Sequence, residues 1–163
     1  MSPASHLAEN NLAYRTNILV VEDDVRVRSQ ISQYLRLRGF AVFEAASGDD
    51  ALEFLGRGDA GIACVFSDVQ MPGNCDGIQL ARWIIENRPG VPVLLTSGSC
   101  RAEDLDPALR ETLRIVPKPY RGHAVEAGIV ASVERFHRRA STISTAWPKH
   151  GHGTTEQGHT PIA

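Results

Sequence analysis

Short apolar runs alternate along this chain with segments in which apolar residues recur every three or four positions. A short apolar run bounded by polar or turn residues is typical of a strand, and the longer spacing is typical of a helix packed on one face. Five pairs of strand and helix can be counted in this way. The predicted strands cover residues 17–22, 40–45, 62–67, 91–96 and 113–117.

Most of the segments between these strands have a clear helical face. Their apolar positions are Val27, Ile31, Tyr34 and Leu35, then Ala51, Leu52 and Leu55, then Leu80, Ala81, Ile84 and Ile85, and finally Val125, Ile129, Val133 and Phe136. Residues 99–112 lack such a face and contain Asp106-Pro107, which interrupts a helix. We therefore expect a short or broken helix there, and beyond residue 140 the periodicity is lost.

The composition of the strands indicates how the sheet is built. The run Ile18-Leu19-Val20-Val21 is continuously apolar, as expected of a strand that is buried on both faces of a parallel sheet. Residues 40–45 instead alternate between the two faces, which suits an edge strand. Strands that alternate with helices predict a doubly wound α/β fold, in which helices cover both faces of a parallel sheet.

Polar residues stand at the ends of the predicted strands. Asp23 and Asp24 follow the first strand, Asp68 follows the third, Thr96 ends the fourth and Lys118 follows the fifth. In open α/β sheets, binding sites lie outside the carboxyl ends of the strands. We therefore expect these side chains to meet in one site, in which Asp68 is the nucleophile.

Three carboxylates in one site repel one another, since two unit charges about 4 Å apart cost roughly 4 kcal/mol at an effective dielectric constant near 20. A cation is therefore needed, and Mg²⁺ suits a few carboxylates while keeping positions for water and phosphate oxygens. Phosphoryl transfer needs an in-line nucleophile and neutralised phosphoryl oxygens. Asp68 as acceptor, together with Lys118, the hydroxyl of Thr96 and the metal, would supply both and would form an aspartyl phosphate.

The composition narrows the class of protein. The chain has 163 residues, of which 42% are hydrophobic, and this is enough for one domain with its own core. A net charge of -2 argues against a nucleic acid or an anionic membrane as partner and favours a protein. Three cysteines in no metal-binding spacing indicate a reducing compartment, and no apolar segment is long enough to span a membrane. We therefore expect a cytoplasmic protein.

Four motifs lie at the ends of the first, third, fourth and fifth predicted strands. They are Ile18-Leu19-Val20-Val21-Glu22-Asp23-Asp24, Ser67-Asp68-Val69-Gln70-Met71-Pro72-Gly73 with Asp76-Gly77 beyond, Leu94-Leu95-Thr96-Ser97-Gly98, and Pro117-Lys118-Pro119-Tyr120. Each motif alone is a weak signal. Together, in this order and at this spacing, they resemble the receiver domain of bacterial two-component response regulators. The resemblance spans residues 17 to about 138 and implies the flavodoxin-like strand order 2-1-3-4-5.

The resemblance implies how the site works. Asp68 is expected to take phosphate from the phosphohistidine of a sensor histidine kinase or a histidine phosphotransfer protein. Asp23 and Asp24 are expected to hold Mg²⁺ together with Asp68 and the backbone carbonyl of Gln70.

The resemblance also implies a switch. Lys118 is expected to pair with the phosphate, after a cis peptide bond to Pro119. The hydroxyl of Thr96 is expected to move to the new phosphoryl oxygens, and the ring of Tyr120 to swing inward behind it. Phosphorylation would in this way bias a two-state element.

Several points leave alternatives open. Asp24 precedes a helix, and it could equally be the N-cap of that helix. Four residues separate Pro72 from Gly77 where the commonest family pattern has three, so this loop is expected to follow a variant path. Gln70 lies where family members tune the lifetime of the phosphoryl group, and the direction of its effect is not predicted.

Residues 1–16 are expected to be a flexible extension, residues 17–138 the receiver domain, and residues 139–163 a disordered tail with no output domain. The favoured function is a stand-alone receiver, not an enzyme, that signals to an unidentified protein or drains phosphate from a kinase. Dimerisation on phosphorylation is left open. An adaptor of the same fold that needs no phosphate is an alternative. A phosphohydrolase is disfavoured, because enzymes of the haloacid dehalogenase type place an aspartate where this chain has Gln70.

Overall fold

The computed structural model describes residues 16–58 and 60–145, with side chains as far as residue 138. Its centre is a parallel sheet of five strands in the order β2-β1-β3-β4-β5. The strands are β1 (Asn17–Val21), β2 (Ala41–Ala45), β3 (Ile62–Asp68), β4 (Val93–Ser97) and β5 (Arg114–Pro117). The predicted doubly wound α/β class and the strand order are confirmed, and β2 is an edge strand as expected.

Helices follow each strand of the sheet. They are α1 (Val25–Leu37), α2 (Gly48–Gly56), α3 (Gly77–Asn87), α4 (Pro107–Thr112) and α5 (Gly122–Thr145). The first four are capped by side chains that accept a backbone N–H bond, namely Asp24, Ser47, Asp76 and Asp106. The predicted interruption in residues 99–112 is confirmed, because a 3₁₀ turn at Ala102–Asp104 precedes the short α4.

The sheet divides the core into two layers, one on each face. Leu19 and Val21 of β1 pack with the apolar residues of α2 and α3. Ile18 and Val20 face the opposite way and pack with α1 and α5. Because successive side chains of a strand point to opposite faces, a continuous apolar run is what this double burial requires.

The strand boundaries lie within two residues of those expected, and the largest differences are at the start of β4 and the end of α5. β4 begins at Val93 because Pro92 has no N–H group for the sheet, although its carbonyl still accepts a hydrogen bond from Val65 N at 3.0 Å. α5 continues to Thr145 although the apolar periodicity fades earlier, since each residue added to an existing helix gains a backbone hydrogen bond. The helix therefore extends past residue 138, the predicted end of the domain, and the domain boundaries stay a prediction.

The predictions for residues 1–15 and 146–163 lie outside the described residues. Within residues 16–58 and 60–145, no helix combines the length and apolar character that crossing a bilayer requires.

Candidate functional site

The carboxyl ends of β1 and β3 bring the central acids together, and β4 ends beside them. Asp68 is the last residue of β3 and lies opposite Thr96 of β4 in the strand register. Ser67 lies opposite Val21, the last residue of β1, so Glu22 emerges beside Asp68. The side chain of Asp68 is buried at the end of an apolar strand. An ionised carboxylate in such a place needs charged or hydrogen-bonding partners.

Gly77 lets α3 approach the backbone of Asp68 closely. Gly77 N donates a hydrogen bond to Val69 O at 3.0 Å. A Cβ atom at position 77 would lie 2.0 Å from the carbonyl oxygen of Asp68, so no larger residue fits without moving the backbone. The helix therefore fixes the place of Asp68 through contact of backbone with backbone.

Glu22, Asp23 and Asp68 form a group of three carboxylates. One oxygen from each lies within 4.8 Å of the others, with Glu22 and Asp68 buried and Asp23 exposed. Carboxylate oxygens with one side open to solvent are the donor set that Mg²⁺ uses, because this ion keeps several of its waters. The residues present therefore fit a hard divalent cation.

The structure places Asp24 outside this group of carboxylates, although the sequence predicted it as a ligand beside Asp23 and Asp68. Asp24 Oδ1 accepts hydrogen bonds from Arg26 N at 2.8 Å and Val27 N at 3.2 Å, so Asp24 is the N-cap of α1. These two bonds hold the pKa of Asp24 below its ordinary value. Capping was the alternative that the sequence left open, and it is the one that the structure supports.

Glu22 is the residue that the sequence-based prediction missed. It follows β1 directly, and the side chain is almost fully buried. The run Glu22-Asp23-Asp24 could have indicated this residue. If the last acid of the run is the N-cap of the following helix, the first two acids remain for the site.

Lys118 connects β5 to the acids. Its Nζ lies 2.8 Å from Asp68 Oδ2 and 3.4 Å from Glu22 Oε2. Desolvation lowers the pKa of the Lys118 ammonium, but the hydrogen bond to Asp68 and the charges of both acids outweigh it, and the pKa lies above the ordinary value. The structure thus brings Lys118 to Asp68 as predicted.

The surroundings of Glu22 disfavour its charged form, whereas those of Lys118 favour its charged form. Burial raises the pKa of Glu22, the hydrogen bond from Asp24 N lowers it, and the charge of Asp68 raises it again, so that the pKa lies above its ordinary value of 4.5. The site therefore holds more negative charge than its single ammonium neutralises.

Thr96 and Tyr120 lie beside the acids. Thr96 is fully buried, and its Oγ1 donates a hydrogen bond to Val116 O at 2.9 Å. The ring of Tyr120 packs edge-on against Phe66, with centroids 5.7 Å apart. The Tyr120 hydroxyl is buried without a hydrogen-bond partner among the described residues. Burial, with the nearby charges of the acids, raises the pKa of Tyr120 to about 12.

The peptide bond between Lys118 and Pro119 is cis, as expected. Lys118 N donates to Ser97 O at 2.8 Å, which ties this turn to the end of β4.

Gln70 spans two loops beside the site. Its backbone N donates to Asp68 Oδ1 at 3.3 Å, and its side-chain Nε2 donates to Ser99 Oγ at 3.0 Å. The use of its carbonyl as a metal ligand stays a prediction. The longer loop that follows is anchored on α2, because Asn74 N donates to Asp49 Oδ2 at 3.1 Å.

Comparison with known proteins agrees with this geometry. Residues 18–129 match the family described as response regulator receiver domain. A response regulator receiver protein of Anaeromyxobacter sp. (strain Fw109-5) is 34% identical over 128 residues, which cover 76% of this chain and 47% of the relative. The transcriptional regulatory protein ResD of Bacillus subtilis (strain 168) is 32% identical over 130 residues, which cover 79% of this chain and 51% of ResD.

Solved structures share the fold. The receiver domain of the hybrid histidine kinase CckA has a TM-score of 0.60 at 31% identity and covers 72% of this chain and 98% of its own. A response regulator receiver domain protein from Clostridium thermocellum has a TM-score of 0.68 at 22% identity and covers 76% of this chain and 98% of its own.

This chain belongs to the response regulator receiver domain family. Receiver domains are signalling domains that interact with histidine kinases or phosphotransfer proteins, and they typically bind Mg²⁺ at an acidic cluster such as the one found here. The chain spans about half the length of the two relatives named above.

Proposed function

We propose that this protein accepts a phosphoryl group on Asp68 from the phosphohistidine of a sensor histidine kinase or a histidine phosphotransfer protein. One observation carries the proposal. The buried carboxylate of Asp68 lies at a strand end with an ammonium 2.8 Å away and two further carboxylates within metal-binding distance. A carboxylate of merely structural importance needs the ammonium but not the two additional acids.

The proposed reaction is a phosphoryl transfer between two side chains. A carboxylate oxygen of Asp68 forms the new P–O bond while the N–P bond of the phosphohistidine breaks, and the released imidazole takes a proton from solvent. Lys118, already hydrogen bonded to Asp68, is placed to pair with the incoming phosphoryl oxygens.

The cation site is proposed to consist of Glu22, Asp23 and Asp68, with the carbonyl of Gln70 as a fourth protein ligand. A bound Mg²⁺ supplies neutralisation of the charge on the phosphoryl oxygens. The exposed side of Asp23 leaves access for water and for the donor.

Phosphorylation is proposed to act on Thr96 and Tyr120. The Thr96 hydroxyl gives up its bond to Val116 O for a phosphoryl oxygen, which is the stronger acceptor because it is charged. The ring of Tyr120 then takes a new position beside β4 and β5. Phosphorylation of Asp68 thereby changes the shape of a surface that a partner can contact.

The output is proposed to be a cytoplasmic protein contact or the removal of phosphate from a kinase, without turnover of a separate substrate. An association between receivers and kinases is supported by a segment of the sensor kinase CckA of Brucella abortus (strain 2308), which is 36% identical over 88 residues that cover 54% of this chain and 9% of the kinase. An adaptor that needs no phosphate is the second candidate, and the completeness of the acidic site argues against it.

The test is phosphorylation of the purified chain with acetyl phosphate and Mg²⁺, followed by intact mass measurement. We expect a phosphate adduct that is lost in Asp68→Asn and retained in the matched control Asp49→Asn, whose carboxylate lies on α2. If the folded wild-type chain gains no adduct from acetyl phosphate or from any purified sensor kinase, the adaptor is the better reading.

A further inference from the structure

Arg28, a residue of α1, contacts the backbone of Glu22 next to the proposed cation site. Its Nη1 donates a hydrogen bond to the carbonyl oxygen of Glu22 at 2.6 Å. The side chain is 15% exposed, so this contact is largely shielded from water. A short hydrogen bond from a charged donor is stronger than a neutral one.

The Glu22 carbonyl is part of the peptide group that joins Glu22 to Asp23. The orientation of this peptide group sets the direction in which both side chains leave the backbone. On its other side, Glu22 is fixed by its own N–H, which donates to Ala45 O at 3.2 Å. Arg28 therefore completes the backbone restraint on two of the three proposed cation ligands.

Glu44 on β2 orients the guanidinium of Arg28. Its Oε2 lies 3.5 Å from Arg28 Nε, and its Oε1 lies 2.9 Å from Arg36 Nη2. Arg36 also donates to Val42 O at 3.0 Å, at a place remote from Glu22. The two arginines thus share one carboxylate, but among residues 16–58 and 60–138 only Arg28 of the two reaches the acidic site.

We propose that Arg28 is a positioning residue for the divalent cation, acting through the Glu22 carbonyl and held in place by Glu44. This inference rests on the proposed function, because it assumes that Glu22, Asp23 and Asp68 take Mg²⁺. Arg28 itself touches neither the cation nor the phosphoryl group. Hydrogen bonds that orient metal ligands typically change metal affinity by 10–100-fold when they are removed.

The experiment measures the Mg²⁺ dissociation constant of the unphosphorylated full chain by isothermal titration calorimetry. We expect Arg28→Ala to weaken Mg²⁺ binding by about tenfold. Arg28→Lys should show a smaller loss, because an ammonium can donate to the carbonyl but lacks the fork that also reaches Glu44. The matched controls Arg36→Ala and Arg36→Lys remove a neighbouring charge from the same Glu44 and should bind Mg²⁺ as the wild type does.

A second readout is the Mg²⁺ concentration that gives the half-maximal rate of phosphorylation by acetyl phosphate. It should rise by the same factor in Arg28→Ala, whereas a purely structural defect would lower the fraction of active protein at every Mg²⁺ concentration. If Arg28→Ala does not fold, the comparison of Arg28→Lys with Arg36→Lys decides.

The two proposals fail in different ways. A wild-type chain that binds Mg²⁺ and gains the phosphate adduct, while Arg28 variants match it in both readouts, overturns the role of Arg28 and leaves the proposed function intact. Equal weakening in the Arg28 and Arg36 variants also overturns it, since general charge would then be the cause. A folded wild-type chain with neither Mg²⁺ binding nor adduct contradicts the proposed function itself.

Discussion

Lys118 Nζ donates a hydrogen bond to Asp68 Oδ2 at 2.8 Å, although the two residues are 50 positions apart in the chain. The same ammonium lies 3.4 Å from Glu22 Oε2. One positive charge therefore serves two buried carboxylates, and the remaining negative charge is available to attract a dication.

Replacing Lys118 with methionine should destabilise the metal-free protein. The change leaves Glu22 and Asp68 buried without a counter-charge, and because Lys118 is partly exposed we expect a loss of about 2 kcal/mol rather than the full cost of a buried pair. Mg²⁺ should restore part of this loss. Urea unfolding in EDTA and in Mg²⁺ measures both effects.

The control for Lys118→Met is Arg57→Met, which removes a cation from an exposed ion pair with Glu53 on α2. We expect a change in unfolding free energy of less than about 0.5 kcal/mol, with no dependence on Mg²⁺. A Lys118 variant that behaves like this control contradicts the proposed charge balance.

The pH dependence of stability should reveal the raised pKa of Glu22. Because the folded protein holds the Glu22 proton more tightly than the unfolded chain, the contribution of this group to stability is complete below pH 4.5 and is lost as the pH rises through the higher folded pKa. Glu22→Gln should therefore gain stability relative to the wild type between pH 4.5 and pH 7 in EDTA. Urea unfolding of the two proteins at matched pH tests this, and a difference that stays constant over this range would argue against a raised pKa.

Substitutions of Asp23 and Asp24 should have different effects, one on Mg²⁺ binding and the other on stability. Asp24→Ala removes the cap of α1 and should lower the free energy of unfolding without changing the affinity for Mg²⁺. Asp23→Ala should weaken Mg²⁺ binding at least tenfold with little change in metal-free stability, because its side chain is exposed. Calorimetric titration and urea unfolding of both variants give the comparison. The original assignment of Asp24 as a ligand returns if Asp24→Ala loses Mg²⁺ binding.

Gly77→Ala should disturb Asp68 from the backbone side. The added methyl group would lie 2.0 Å from the Asp68 carbonyl oxygen, and we expect a loss of about 3 kcal/mol together with slower phosphorylation by acetyl phosphate. Gly90→Ala is the matched control, because a Cβ at position 90 meets nothing within 4 Å. Equal stability of the two variants would mean that α3 does not hold Asp68 in the way described.

Thr96→Val should uncouple Tyr120 from the phosphoryl site. In the wild type, beryllofluoride, which mimics a bound phosphoryl group, should change the NMR signals of the Tyr120 ring. In Thr96→Val the ligand should still bind Asp68, but the Tyr120 signals should stay close to their starting positions. Thr96→Ser keeps the hydroxyl and should respond as the wild type does. An unchanged Tyr120 response in Thr96→Val would remove Thr96 from the switch.

The fold could be predicted from the sequence to within a few residues. The continuous run Ile18-Leu19-Val20-Val21 requires burial on both faces, and the residues that face each layer alternate as the strand geometry demands. The interruption around Pro107 also follows from local chemistry, because proline starts a helix but does not continue one. The strand order came from the resemblance and not from the pattern itself.

The site was predicted less completely. The sequence predicted Asp68, Asp23, Thr96 and Lys118 as site residues because they stand at strand ends, and these predictions stay open to the tests above. The choice between Glu22 and Asp24 depended on which carboxylate turns toward Asp68 and which turns back to the N–H groups of α1. Adjacent acids look alike in a sequence. The direction of the backbone at the end of a strand decides which of their side chains point toward the site and which point toward the helix.

The sequence by itself determined the alternation of strands and helices, the acids at the strand ends and the family, because local burial and hydrogen bonding act over a few residues. Only the tertiary structure decided that Glu22 joins the acids, that Asp24 caps α1 and that Arg28 reaches the Glu22 carbonyl. These relationships depend on how α1 leaves β1 and packs beside β2. The direction of that helix is set by the whole core, so no short stretch of sequence contains it.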